Sequence, residues 1–144
     1  MTPQSPSGKF LRVLVADQEC SRRAQIEKDL NGLGYYRVAP VSCFSDLLTL
    51  THYSPNPFER FDLVVINAQL MSAVGVKALD FCLENARLRH ALIYDANLQR
   101  RFSRTFNERA SQQVRLIHKI DRRQLVDFLS LIDPAFDVLT ADSC

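Results

Sequence analysis

A chain of 144 residues with 47% hydrophobic and 24% charged side chains has the size and composition of one globular domain. Its four glycines, Gly8, Gly32, Gly34 and Gly75, are too few and too scattered for a dinucleotide fingerprint or a P-loop, and no run of about eighteen apolar residues offers a membrane span. The net charge of +2 hides an uneven distribution: residues 87–123 hold ten cationic side chains against three acidic ones, a net of +7, and the remainder holds eight against thirteen, a net of −5.

Residues 1–9 are polar, carry Pro3 and Pro6, and read as a disordered tail without the apolar stretch of a secretory signal. Leu11 to Ala16 is an unbroken apolar run that suits a parallel strand buried on both faces, ending at Asp17. Cys20 to Leu33 follows as a helix, with Ile26, Leu30 and Leu33 on one stripe and Gly32 and Gly34 as stop signals. Tyr35 to Val41 is the second strand. Ser42 is the expected N-cap of a helix carrying Phe44, Leu47 and Leu48. The two prolines between Ser54 and Phe58 place a loop there.

Phe61 to Ile66 is the third strand, ending at Asn67. A helix is expected between Val74 and Leu88, with Leu79, Cys82, Leu83 and Ala86 on its inner face. Ala91 to Tyr94 is the fourth strand, ending at Asp95. Asn97 can cap a fourth helix whose Leu98, Phe102 and Phe106 repeat every four residues. Val114 to His118 is the fifth strand. Asp121 with Gln124 forms a capping-box pattern for a last helix with Leu125, Phe128, Leu129 and Ile132 inward, which Pro134 ends. Residues 10–133 thus form the domain, and 134–144 a C-terminal tail in which Phe136, Val138 and Leu139 are apolar.

Five βα units in succession predict an α/β fold, a doubly wound parallel sheet with helices on both faces. Such folds put their chemistry beyond the carboxyl ends of the strands, which singles out Asp17, Asn67, Asp95 and Lys119. The cysteines Cys20, Cys43, Cys82 and Cys144 form no CxxC pair and lie apart from His52, His90 and His118, so the pattern of a zinc site is missing. Cys20, Cys43 and Cys82 are expected as small buried residues of helices, with reduced thiols in a cytoplasmic protein. No Ser–His–Asp or Cys–His pattern stands out, and no enzymatic activity is expected.

The strand ends carry a resemblance. LRVLVADQE (Leu11 to Glu19), DLVVINAQLM (Asp62 to Met71), ALIYDA (Ala91 to Ala96) and LIHKIDRRQL (Leu116 to Leu125) stand in the order of four motifs of the response regulator receiver domain, and the chain resembles that family from about Phe10 to Asp133. The resemblance implies a flavodoxin-like sheet of order 2-1-3-4-5. It also implies a site where a phosphoacceptor aspartate, an acidic pair and Mg²⁺ carry out phosphoryl transfer. In that site Asn67 takes the place of the phosphoacceptor, Gln18 that of the second acid of the pair, and Asp95 that of the hydroxyl residue. Met71 and Ile120 replace two prolines, and Leu116 stands at a position often held by an aromatic. Asp17, Lys119 and Gly75 are retained. An amide forms no acyl phosphate, and Mg²⁺ prefers anionic oxygens. A degenerate phosphorylation site of Asp17, Gln18, Asn67, Asp95 and Lys119 is therefore expected, with weak or no Mg²⁺ binding and no other cofactor. Lys119 is expected to pair with Asp95, or failing that with Asp17, the alternative being that it reaches out to water.

Function then falls to a surface. In the family the fourth helix, fifth strand and fifth helix meet partners. Arg100, Arg101, Arg104, Arg109, Arg115, Arg122 and Arg123 fall in or beside those elements, so an acidic protein partner or self-association is the expected use. The expectation is a stand-alone signalling module working by phosphorylation-independent protein–protein interaction. Two alternatives remain: an ordinary phosphorelay receiver whose site is misaligned, and nucleic-acid binding by the 87–123 segment. Against the latter, only about a dozen residues follow the last helix, too few for a helix-turn-helix.

Overall fold

The structure, a computed structural model, describes residues 10–52, 60–97, 114–134 and 136. Five parallel strands, β1 (Arg12–Ala16), β2 (Arg37–Val41), β3 (Phe61–Asn67), β4 (Leu88–Tyr94) and β5 (Val114–Ile117), form one sheet in the order β2-β1-β3-β4-β5. The fold class and strand order agree with those expected. The helices are α1 (Cys20–Gly32), α2 (Phe44–Thr51), a single turn α3 (Gln69–Ser72), α4 (Ala78–Glu84) and α5 (Arg122–Ile132). The proline loop, the Leu98–Phe106 repeat and both chain ends, Cys144 included, lie outside the described residues. No helix among the described residues is long and apolar enough to cross a membrane.

The central strands are sealed on both sides. Val13 to Ala16 and Leu63 to Ile66 have no exposed surface, which is why their sequences are apolar without alternation. One face packs under α2, α3 and α4 through Leu14, Ala16, Val64, Ile66, Leu47, Met71 and Cys82. The other packs under α1 and α5 through Val13, Val15, Leu63, Val65, Ile26, Leu30, Leu125, Phe128 and Leu129. The α1 stripe is narrow: Ile26 and Leu30 are its buried residues. Tyr35 adds to it, donating its hydroxyl to Asp133 Oδ2 at 2.7 Å and stacking on Phe136 at 6.3 Å between centroids. Burial and the Asp133 carboxylate push the Tyr35 phenol well above its ordinary range. Phe136, beyond Pro134, thus docks on the domain.

Several local expectations need correction. Cys43, not Ser42, is the N-cap of α2, and no side chain caps it. Cys43 has the extended backbone of a cap residue, one position after Ser42, and a thiol is a weak acceptor. Cys20 and Cys43 are exposed, whereas Cys82 is buried. Cys20 opens α1 about 120° around the helix from Ile26, off the buried stripe. Burial pushes the Cys82 thiol up to about 12, so it packs as an apolar group. In α4 the buried pair is Ala78 and Cys82, with Leu83 exposed and Ala86 past the end. The helix stops early because Asn85 Oδ1 accepts the Arg87 N–H at 3.0 Å, a turn that starts β4 at Leu88 rather than Ala91. For α5 the expectation holds: Asp121 Oδ1 accepts the Gln124 N–H at 2.9 Å, and Leu125, Phe128 and Leu129 are buried.

Gly75 has φ of +77°, where an L side chain is strained, although a Cβ there would meet nothing within 4 Å. The expected cost of Gly75→Ala is therefore the backbone strain alone, about 1 kcal/mol in a urea melt.

His90 gives a second expectation. It is half-buried on β4, its ring edge-on to Phe128 at 6.5 Å, and its Nδ1 is buried with no hydrogen-bond partner. Burial, helped by Arg89 and opposed by Asp62, lowers its pKa below the usual 6.5. The unfolded chain then takes up the proton first, so this contribution to stability is complete above about pH 6.5 and is lost as pH falls below it. The urea midpoint should drop from about pH 7.5 to about pH 5.5, and drop less in His90→Gln; equal drops would refute the assignment.

Candidate functional site at the strand ends

Parallel strands deliver their C-terminal residues to one edge of the sheet. The register pairs Ala16 with Ile66, and Asn67 with Tyr94, and Tyr94 with Ile117, so Asp17, Asn67, Asp95 and the loop after β5 converge. Backbone bonds continue the ladder past the strands: the Asp17 N–H donates to Val41 O at 3.1 Å and the Asp95 N–H to Ile117 O at 2.9 Å.

Asp17 is the centre of the group and has no exposed surface. Its Oδ1 accepts the Glu19 N–H at 2.8 Å. Its Oδ2 accepts the Tyr94 hydroxyl at 2.6 Å, lies 3.4 Å from Arg22 Nε, and is 3.5 Å from Asn67 Nδ2. Arg22 also grips Glu19, whose hydrogen bond from Ser21 and contact with Arg22 lower its pKa. The Tyr94 phenol is pushed far above its ordinary range, first by burial and then by the Asp17 carboxylate. Asn67 is 4% exposed, and its Oδ1 accepts the Gln69 N–H at 3.0 Å, which starts α3. Every oxygen on Asp17 and on the Asn67 amide is thus already engaged.

Lys119 and His118 are exposed. The expected pairing of Lys119 is not found: no ion pair joins it to Asp95 or Asp17 among the described residues. Asp95 instead turns into its own loop, its Oδ1 accepting the Asn97 N–H at 2.9 Å. Asp17 is taken by Tyr94 and Arg22. An exposed ammonium gains little from pairing and keeps its water. Gln18 is exposed as well. Of the seven expected partner-facing arginines, Arg100, Arg101, Arg104 and Arg109 lie outside the described residues. Arg115 is half-buried with its guanidinium 5.5 Å over the Phe128 ring, while Arg122 and Arg123 are exposed on α5.

No family model matches the chain, and no curated protein does. Among solved structures it is similar to a response regulator receiver domain (CheY-like) from Methylobacillus flagellatus, with a TM-score of 0.58 and 15% identity over 85% of this chain and 98% of that one. The fold is the receiver fold. A putative pilus assembly-related protein from Burkholderia pseudomallei shares it, with a TM-score of 0.57 and 18% identity over 99% of this chain and 97% of that one.

On the receiver frame, Tyr94 and Arg22 are the residues that the motif reading passed over. Tyr94 ends an apolar strand and has a polar tip, which is the signal that something at the strand end needs a donor. Arg22 stands five positions after Asp17, in the first turns of α1, within reach of the β1 end. An open cavity of about 390 Å³ lies above them, lined by Arg22, Asn67, Gln69, Tyr94, Ala96, His118, Lys119 and Ile120. A second cavity of about 280 Å³ has the apolar Ala68, Val76, Ala78, Leu79, Ile93 and Leu116 in its wall, together with the polar Ser72, Lys77, Asp80 and Asp95.

Proposed function

We propose that the chain is a receiver-like signalling module that acts through protein–protein contact without being phosphorylated. One observation carries this reading: Asp17, the carboxylate retained from the acidic pair, is sealed by Tyr94, Arg22, Asn67 and its own loop. A divalent cation needs open anionic oxygens, and this donor set has none to offer, so it does not fit Mg²⁺. No group of three or more His, Cys, Asp or Glu residues that could hold a metal occurs among the described residues. The strand register argues against a misaligned site. The carboxylate within β3, Asp62, stands at its opposite end, accepting the Arg12 N–H and pairing with Arg89.

The partner surface of this reading is the basic face on β5 and α5, with an acidic protein or a second copy as its counterpart. The test is intact-mass spectrometry after incubation with acetyl phosphate and Mg²⁺. The expected result is an unchanged mass; gain of one phosphoryl group would overturn the reading. Sedimentation of wild type and Arg123→Glu then separates self-association from a hetero-partner.

A further inference from the structure

The strand starts, at the end of the sheet opposite Asp17 and Asn67, are lined by arginine. Arg12, Arg37, Arg60, Arg87 and Arg89 stand at or within one residue of the starts of β1 to β4, against one carboxylate, Asp62. The register lays most of them in a row. Arg37 is the neighbour of Arg12, and the pairs Phe61–Leu88 and Leu63–His90 set Asp62 beside Arg89. Asp62 ties the row together, accepting the Arg12 N–H at 2.9 Å and pairing with Arg89 at 3.6 Å. Arg89 is 59% exposed, and so loose a pair contributes little and leaves guanidinium nitrogens open to a ligand. Arg37 and Arg60 are exposed, and no ion pair holds either of them among the described residues. Asp29 and Glu84 also reach this end of the molecule, but in the last turns of α1 and α4 rather than in the row. From β2 to β4 the row spans three strand spacings, about 14 Å. Two exposed aromatic rings accompany it. Phe10 lies under the Arg37 guanidinium at 5.6 Å, and Tyr36, 67% exposed, directly precedes Arg37. Neither ring belongs to either side of the core.

We propose that this end of the sheet binds single-stranded nucleic acid, with the arginines on its phosphates and Phe10 and Tyr36 stacked on its bases. A flexible strand with a charge on every unit and a flat face on every base uses both features at once. An acidic protein segment would use the arginines and leave the rings bare. Every cation of the row is an arginine, whose planar fork takes two phosphate oxygens together and also stacks on rings, as an ammonium does not. No helix-turn-helix is required, because a single strand is held by charge and stacking rather than through a groove. The surface lies at the opposite end of the sheet from Asn67, so the inference stands apart from the reading of that residue.

The probe is a fluorescein-labelled oligothymidylate of about twelve nucleotides, followed by anisotropy at about 0.15 M salt and then across a salt series. Saturable binding with a Kd tighter than about 100 µM is expected. Arg37→Gln should weaken it about fivefold and flatten the slope of log K against log salt by about 0.7, the share of one phosphate contact on a single strand. Tyr36→Ala should also weaken it about fivefold but leave the slope unchanged, since stacking releases no counterion. Lys77→Gln removes the same charge as Arg37→Gln at the residue that caps α4, and should change nothing. All three positions are exposed, so thermal melts of the variants should match the wild type. Absence of saturable binding, equal losses in Arg37→Gln and Lys77→Gln, wild-type affinity in Tyr36→Ala, or tighter binding to a duplex of the same length would each overturn the proposal. So would stronger, Tyr36-dependent retention on vesicles of phosphatidylserine and phosphatidylcholine in equal parts, which would assign the surface to a membrane.

Discussion

Placing a carboxylate at position 67 by Asn67→Asp is expected to cost the fold about 3 kcal/mol at neutral pH and, on the function proposed above, to confer no phosphotransfer. Position 67 is 4% exposed, and its side-chain nitrogen lies 3.5 Å from Asp17 Oδ2. The substitution exchanges a donor facing that oxygen for a second negative charge. Two buried carboxylates this close do not both ionise readily, and burial penalises the charge further. The new group's folded pKa is therefore raised above its unfolded value of about 3.9. A raised pKa means that the penalty is small near pH 4 and grows as pH climbs toward neutrality. Urea melts of the variant and the wild type should nearly coincide at about pH 4 and separate at about pH 7. Equal stability at both would show that the amide contributes nothing to Asp17. On the proposed function, no phosphotransfer follows, because Gln18 is still neutral and Tyr94 still covers Asp17.

Asp17→Ala is expected to destabilise by about 3 kcal/mol, and Tyr94→Phe by about 1.5–3 kcal/mol. The alanine variant leaves the buried Tyr94 hydroxyl, the Glu19 N–H and the Arg22 Nε without their acceptor, while Arg22 keeps Glu19. Arg22 is 35% exposed, so water compensates part of its loss, which sets the figure at the lower end of the range for broken buried pairs. The phenylalanine variant keeps the ring in the core and removes only the 2.6 Å hydrogen bond, leaving a fully buried carboxylate one donor short. Together they should cost less than the sum, by about 1–2 kcal/mol, because both break the same contact. For a domain of this size each kcal/mol lowers the melting temperature by about 3 °C. Strict additivity would mean that the phenol and the carboxylate do not depend on one another.

The sheet was legible because β1 and β3 must be apolar on both faces, and such runs have few other uses. The strand-end positions followed, since a parallel sheet delivers every strand's last residue to one edge. Helix faces were harder. The stripe in α4 is set by where Asn85 breaks the helix, and a side-chain-to-backbone turn leaves only a weak trace in sequence. Of the expected face, Cys82 is buried and Leu79 packs against the core, but Leu83 is exposed and Ala78 is buried in its stead. At the site, the motif positions singled out Asp17, Asn67 and Asp95 but not the residues that pack against them. Asp17 found its partners in Tyr94, 77 residues away, and in Arg22, neither of which was among the expected site residues. Lys119 could not be assigned a partner from topology because adjacent strand ends do not fix where a long, hydrated side chain points.

Pro40 has a consequence for how copies of this chain can join. It pairs with Val15 in β2, at one edge of the sheet. Val41 turns its carbonyl inward to the Asp17 N–H, so the alternate residue Pro40 faces outward, where it presents no amide proton. The opposite edge, β5, is only four residues long. A newcomer strand would find a broken ladder on one side and a short one on the other. Open-ended polymerisation by strand addition is thereby disfavoured, and assembly of this fold is left to its helical faces and side chains, where charge and shape can select the counterpart.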